Sequence, residues 1–112
     1  MTAATYNLTV DQGSDFSLSL KIKEDGAVKA LTGYSARAHI RSRKTSNTLT
    51  ASFTCTITSL QLGEVTLFLS NATSKGIPAG VYYYDLELYT SSDALVVRLL
   101  EGTVTVRQEV TR

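Results

Sequence analysis

Apolar and polar residues alternate along most of this chain, with a period of two. In the clearest run, Phe16, Leu18, Leu20 and Ile22 alternate with Ser17, Ser19, Lys21 and Lys23. Successive side chains of an extended strand point to opposite faces, so this run predicts a half-buried β-strand. Residues 5–10 keep the same rhythm, with Tyr6, Leu8 and Val10 on one face. Residues 34–43 set Tyr34, Ala36, Ala38 and Ile40 against Arg37, His39, Arg41 and Arg43. Ala51, Phe53, Cys55 and Ile57 form a fourth alternation, and Val65, Leu67 and Leu69 a fifth. Over residues 81–90, Tyr82, Tyr84, Leu86 and Leu88 face one side and Tyr83, Asp85, Glu87 and Tyr89 the other. Residues 95–100 make a seventh strand. Residues 103–110 continue past a bulge or bend at Gly102, with Val104 and Val106 inward.

Turn signals punctuate these runs: the cluster Asp11, Gln12, Gly13, Ser14 and Asp15, then Glu24-Asp25-Gly26, Leu62-Gly63 and Ser91-Ser92-Asp93. Asp-Gly supplies the positive φ of tight turns. Residues 71–80 are the one break in the β pattern. Asn71 to Lys75 fits a single helical turn capped by Ser70 or Asn71, ended by Gly76, Pro78 and Gly80. Seven or eight strands with a turn about every 8–12 residues predict an all-β fold, an antiparallel β-sandwich or a small barrel. Seven strands in about 100 residues is the immunoglobulin-like size class, though the Cys…Trp…Cys signature is absent. We therefore expect one immunoglobulin-like β-sandwich domain over residues 1–112. Its expected edges are the first strand, residues 6–10, and the last, residues 103–110.

Composition narrows the function classes. The chain has 112 residues, a net charge of +1, one Cys and one Pro, and is 43% hydrophobic and 19% charged. That is enough apolar material, and too little net charge, to exclude disorder. One Cys cannot form an internal disulfide or a multi-cysteine zinc site. A near-neutral balance argues against a nucleic-acid binder, which is usually strongly basic. No apolar run is long enough for a membrane span, and the start lacks the pattern of a secretory signal. The chain is therefore expected to be soluble, made in the cytoplasm, and without nucleic-acid or membrane partners. The sequons at Asn7 and Asn71 read as chance in a chain where Ser and Thr number 28 of 112.

Catalysis finds little support. His39 sits on the outward face of its strand and Cys55 on the apolar face of another, so a Cys–His nucleophilic pair is not expected. Asp11 and Asp15 flank a glycine, a spacing better read as a turn than as a calcium loop. No cofactor and no metal site is expected, and the chain is not expected to be an enzyme. Two features stand out instead. Arg37, His39, Arg41 and Arg43 share one sheet face, extended by Lys44. They read as cross-strand partners of Asp85 and Glu87, as a protein interface, or, least well, as a nucleic-acid contact. Tyr82 and Tyr84 read as core with a hydroxyl at the rim. Tyr83 and Tyr89 read as exposed, either at an interface or as ordinary strand residues. The candidate interface is thus Arg37, His39, Arg41, Arg43, Tyr83 and Tyr89.

The segments Leu31 to Arg41 (LTGYSARAHIR), Tyr82 to Leu88 (YYYDLEL), and RLLEGTVTV with the closing EVTR carry a resemblance. The chain resembles small immunoglobulin-like virion proteins of tailed bacteriophages, and the N-terminal domain of phage baseplate upper proteins. None of these segments is a catalytic motif. The resemblance implies a virion structural protein, in the tail, baseplate or fibre attachment. It would be held by contacts with other virion proteins and present in multiple copies per particle. A head decoration protein on the capsid is the alternative, and a carbohydrate- or host-receptor-binding module a second one.

Overall fold

The computed structural model describes residues 4–24, 26–28 and 30–110. Among the described residues its strands are β1 (Ala4–Thr5), β2 (Leu8–Asp11), β3 (Phe16–Lys21), β4 (Lys23–Glu24), β5 (Ala27–Val28), β6 (Ser35–Arg41), β7 (Ala51–Ser59), β8 (Glu64–Leu69), β9 (Gly80–Tyr89) and β10 (Val96–Arg107), with a short α-helix, α1 (Asn71–Lys75), and a 3₁₀ turn at Ser91–Asp93. The two-residue strands β4 and β5 form a small separate hairpin whose turn has Gly26 at φ +80°. Asp25, the centre of the predicted Asp-Gly turn, lies outside the described residues, as do Thr111 and Arg112 of the closing EVTR segment.

The remaining strands form two layers joined through one strand. In the front layer β10 pairs with β9, β9 with β6, and β6 with Ala51–Phe53 of β7. Beyond Phe53 the same strand leaves β6 and pairs with β8, which pairs with β3 in the back layer. This is an all-β sandwich in which β7 turns the corner between sheets. The inward residues of both layers meet in one core. Val65, Leu67, Leu86, Leu88, Ile40 and Val104 are fully buried in it. Phe53 bridges the layers, 5.7 Å from the Phe16 ring and edge-on to Tyr84 at 6.1 Å. Ile22, Leu31 and Ile77, outside the long strands, are also buried in this core.

The turn-rich segments are tied by polar contacts. The predicted helical turn at 71–75 is present, with Ser70 as its cap: Thr73 N–H donates to Ser70 Oγ at 3.2 Å. Ser74 on this helix is buried, and its hydroxyl donates to Ser14 O at 2.8 Å and accepts from Gly13 N–H. Asp15 accepts from Asn71 N–H at 2.6 Å, and Asp11 pairs with Arg107. Both carboxylates of the 11–15 cluster therefore hold the turn in place.

The first strand departs from expectation in three ways. It is interrupted at Tyr6 and Asn7, and Tyr6 is exposed, whereas Leu8 and Val10 are buried. It runs parallel to β10, Ala4 opposite Leu100 and Leu8 opposite Val104, so the last strand is not an edge. Gly102 is no bulge: the register shift lies between Arg98 and Leu100. Glycine is needed at 102 because a Cβ there would meet the Tyr6 carbonyl oxygen. That carbonyl accepts the Tyr84 hydroxyl at 2.6 Å, Tyr6 N–H donates to Glu101 O, and Thr103 N–H donates to Asn7 Oδ1. Both residues of the interruption are thus fastened beside the glycine.

Gly102→Ala is expected to cost about 1–3 kcal/mol by forcing this approach apart, seen as a lower urea midpoint and faster hydrogen exchange at the Tyr6 and Thr103 amides. Burial pushes the Tyr84 hydroxyl from 10.0 up to about 12, with Tyr6 adding to the rise. Because the folded pKa is the higher one, this stabilisation is complete below about pH 10 and is lost as pH rises toward about 12. Tyr84→Phe is expected to remove that alkaline loss, measured as unfolding free energy between about pH 9 and 11.

Candidate protein interface

Strand β9 carries the candidate surface because its outward residues lie between two neighbours. On one side Arg37 of β6 is opposite Glu87, His39 opposite Asp85, and Arg41 opposite Tyr83. On the other, Arg98 of β10 is opposite Glu87 and Glu101 opposite Asp85. Directly opposed residues of an antiparallel pair share a face, so these side chains form one ladder.

The ladder partly neutralises itself. Arg37 Nε donates to Glu87 at 2.9 Å, and its Nη1 reaches Asp93 at 3.3 Å. The Glu87 hydrogen bond is the main cause that raises the Arg37 guanidinium pKa further. Arg98 lies 3.4 Å from Asp85 and 3.6 Å from Glu101. Burial first, and then the neighbouring Glu87 charge, pushes the Asp85 carboxyl above its usual value, against the pull of Arg98 and His39. The cross-strand pairing read from the alternation is thus present for Arg37 and Glu87.

The rest of the basic stripe is differently placed. Arg41 faces Tyr83 rather than an acid, and its Nη1 is shielded from solvent with no hydrogen-bond partner among the described residues. Arg43 lies past the end of β6, exposed in the following loop. Lys44 in that loop sits over the Tyr83 ring at 5.8 Å, and Arg37 over the Tyr89 ring at 4.4 Å. Tyr83 and Tyr89 are consequently half-buried, not exposed as their strand parity suggested. Parity places a side chain on the outer face, and long cations lying over that face then cover it. His39, Arg41, Lys44, Tyr83, Asp85, Arg98 and Glu101 line a shallow concavity of about 350 Å³. Arg98 and Glu101 had not been assigned to this face; the Leu99-Leu100 doublet, which breaks the alternation at the bulge, is the signal that marks them.

Cys55 lies on β7, away from this face, half-buried, its thiol pushed up from 9.0 to about 11 by burial. Among the described residues, no group of three or more His, Cys, Asp or Glu is placed to hold a metal ion, and no helix is long and apolar enough to cross a membrane.

The model of the LtfC-like β-sandwich domain, a phage-associated family, matches residues 2–107. The chain belongs to this family. None of the curated proteins matches it. The LtfC-like domain accounts for the whole sandwich, including the β6–β9–β10 face just described.

Glu87→Gln is expected to bring the Asp85 carboxyl down toward the ordinary carboxylate range without reaching it, since burial, the larger cause, stays. A carboxyl-carbon NMR titration reads this directly.

Proposed function

We propose that this LtfC-like domain is a structural protein of the phage particle. It would act in the tail, baseplate or fibre attachment through protein–protein contacts in a symmetric array. The observation that carries the reading is the uneven charge of the β9 face. At one end the acids are engaged by Arg37 and Arg98. At the other, Arg41, Arg43 and Lys44 have no acidic partner among the described residues, and Arg41 and Lys44 flank a half-buried tyrosine. Arginine and tyrosine in a shallow concavity are the composition of interface centres. Arg41 faces Tyr83 instead of an acid, so its positive charge is left for an acidic group of a neighbouring protein.

The strand pairing also supports the immunoglobulin-like description. An edge strand runs parallel to the last strand in one sheet, and β7, β8 and β3 make the other. A fixed array then multiplies individually weak contacts, because each added contact is made at high effective concentration. A sugar-stacking role for the tyrosines has less support, since one face of each ring lies under a cation.

Purified particles are expected to contain the protein in a few symmetric copies, quantified by mass spectrometry. Lattice-wide copy numbers would move the assignment to head decoration, and absence from intact particles would overturn the reading. The double variant Arg41→Glu, Lys44→Glu is expected to fold with a near-normal unfolding midpoint and to drop out of assembled particles.

A further inference from the structure

Strand β3 ends the strand order, and among the described residues it pairs with β8 alone. Ile22 N–H donates to Gly63 O at 2.7 Å. Ladder alternation therefore turns the main-chain groups of residues 16, 18 and 20 toward β8, and those of Ser17, Ser19 and Lys21 toward the open side. The inward side chains are also left incomplete. Phe16, Leu18 and Leu20 are only half-buried, while their opposite numbers Leu69, Leu67 and Val65 are buried to 1% or less. At the other end of the strand order the inward row is covered: Leu8 and Val10 of β2 are buried. The β3 edge also carries no charge between Phe16 and Lys21, so it lacks the residues that normally block strand addition.

We propose that β3 pairs antiparallel with β3 of a second copy of this chain, with the two-fold axis at Leu18. Opposed residues of an antiparallel pair must share a face, so the axis has to fall on a residue. At Leu18 it sets Phe16 opposite Leu20 of the other copy and Ser17 opposite Ser19, exchanging the open main-chain groups. The same register brings exposed Asp15 opposite exposed Lys21 of the other copy, twice by symmetry. Opposite charges at both ends and an apolar row between them make the strand self-complementary. The pairing completes the half-covered row of Phe16, Leu18 and Leu20. One strand pair is a small interface, so the free dimer is weak and gains strength where copies are already held in an array.

This surface lies on the sheet opposite the basic face, and the inference does not depend on the role proposed there. The test uses the purified chain. Sedimentation velocity is expected to show a monomer–dimer equilibrium as concentration rises to about 1 mM. Over the same range, hydrogen exchange at the Ser17, Ser19 and Lys21 amides is expected to slow, with Leu18 and Leu20 protected throughout. Ser17→Pro removes an N–H that the monomer's ladder does not use, and is expected to abolish the dimer while retaining the unfolding midpoint. Lys21→Gln is expected to weaken it roughly threefold. A purely monomeric chain up to that concentration overturns the inference. So does a dimer in which the three odd-numbered amides stay unprotected, or one unaffected by both variants. Particle composition leaves all of these results unchanged, so this inference and the virion role fail separately.

Discussion

Strand β9 lies between β6 and β10, so its side chains from Tyr83 to Tyr89 have a cross-strand neighbour on each side of the same face. This enclosure is the constraint on which the rest of the sandwich depends. Inward, it sets Tyr84, Leu86 and Leu88 in the core, where all are buried. Outward, it forces Asp85 and Glu87 together on one face, an arrangement held only because Arg37 and Arg98 flank it. A slip of one residue would carry the acids into the core and the leucines to the surface. Register, core and surface charge are therefore one decision.

The same enclosure explains why the outer face is polar yet not a simple solvent surface. Its cations lie across tyrosine rings, so charge and aromatic area are stacked and neither is fully hydrated. Pairing is complete toward Glu87 and lapses toward Arg41, where the opposed residue is a tyrosine. The basic character that remains is a property of one end of the face. Net charge, at +1, conceals it. The back sheet works differently: its outward positions are filled by residues such as Ser17, Ser19, Thr54, Thr56 and Thr66, with little charge. One layer presents a patterned charged surface and the other a hydroxyl-rich face ending in an open edge.

Much of this was legible beforehand. The strand around Phe16, the alternation through residues 34–43 and 81–90 and the capped turn at 71–75 all follow from local patterns. The misreadings share a cause: each involved a contact between segments far apart in the chain. Tyr6 matched the apolar parity of its strand, but the strand breaks at Tyr6 and Asn7, where both are fastened to β10. Gly102 resembled a bulge because glycine in a strand is often one, whereas the Tyr6 backbone, on the neighbouring strand, requires it. The true bulge at Leu99 shifts the parity of β10, which is why Arg98 and Glu101 both reach the outer face.

Local sequence determined which residues extend, which turn and which face inward, because strand parity and turn geometry act over a few neighbouring residues. It therefore determined an all-β chain with its apolar rows and the composition of its charged stripe. Which strand pairs with which was settled by packing across the whole chain. That choice placed β1 and β2 parallel to β10, turned β7 between the sheets and left β3 as an edge whose inward row is only half-covered. It also selected which arginine meets a carboxylate and which meets a tyrosine. The physical reason is that pairing energy resides in contacts between residues distant in sequence, and such contacts exist only once both partners have been brought together.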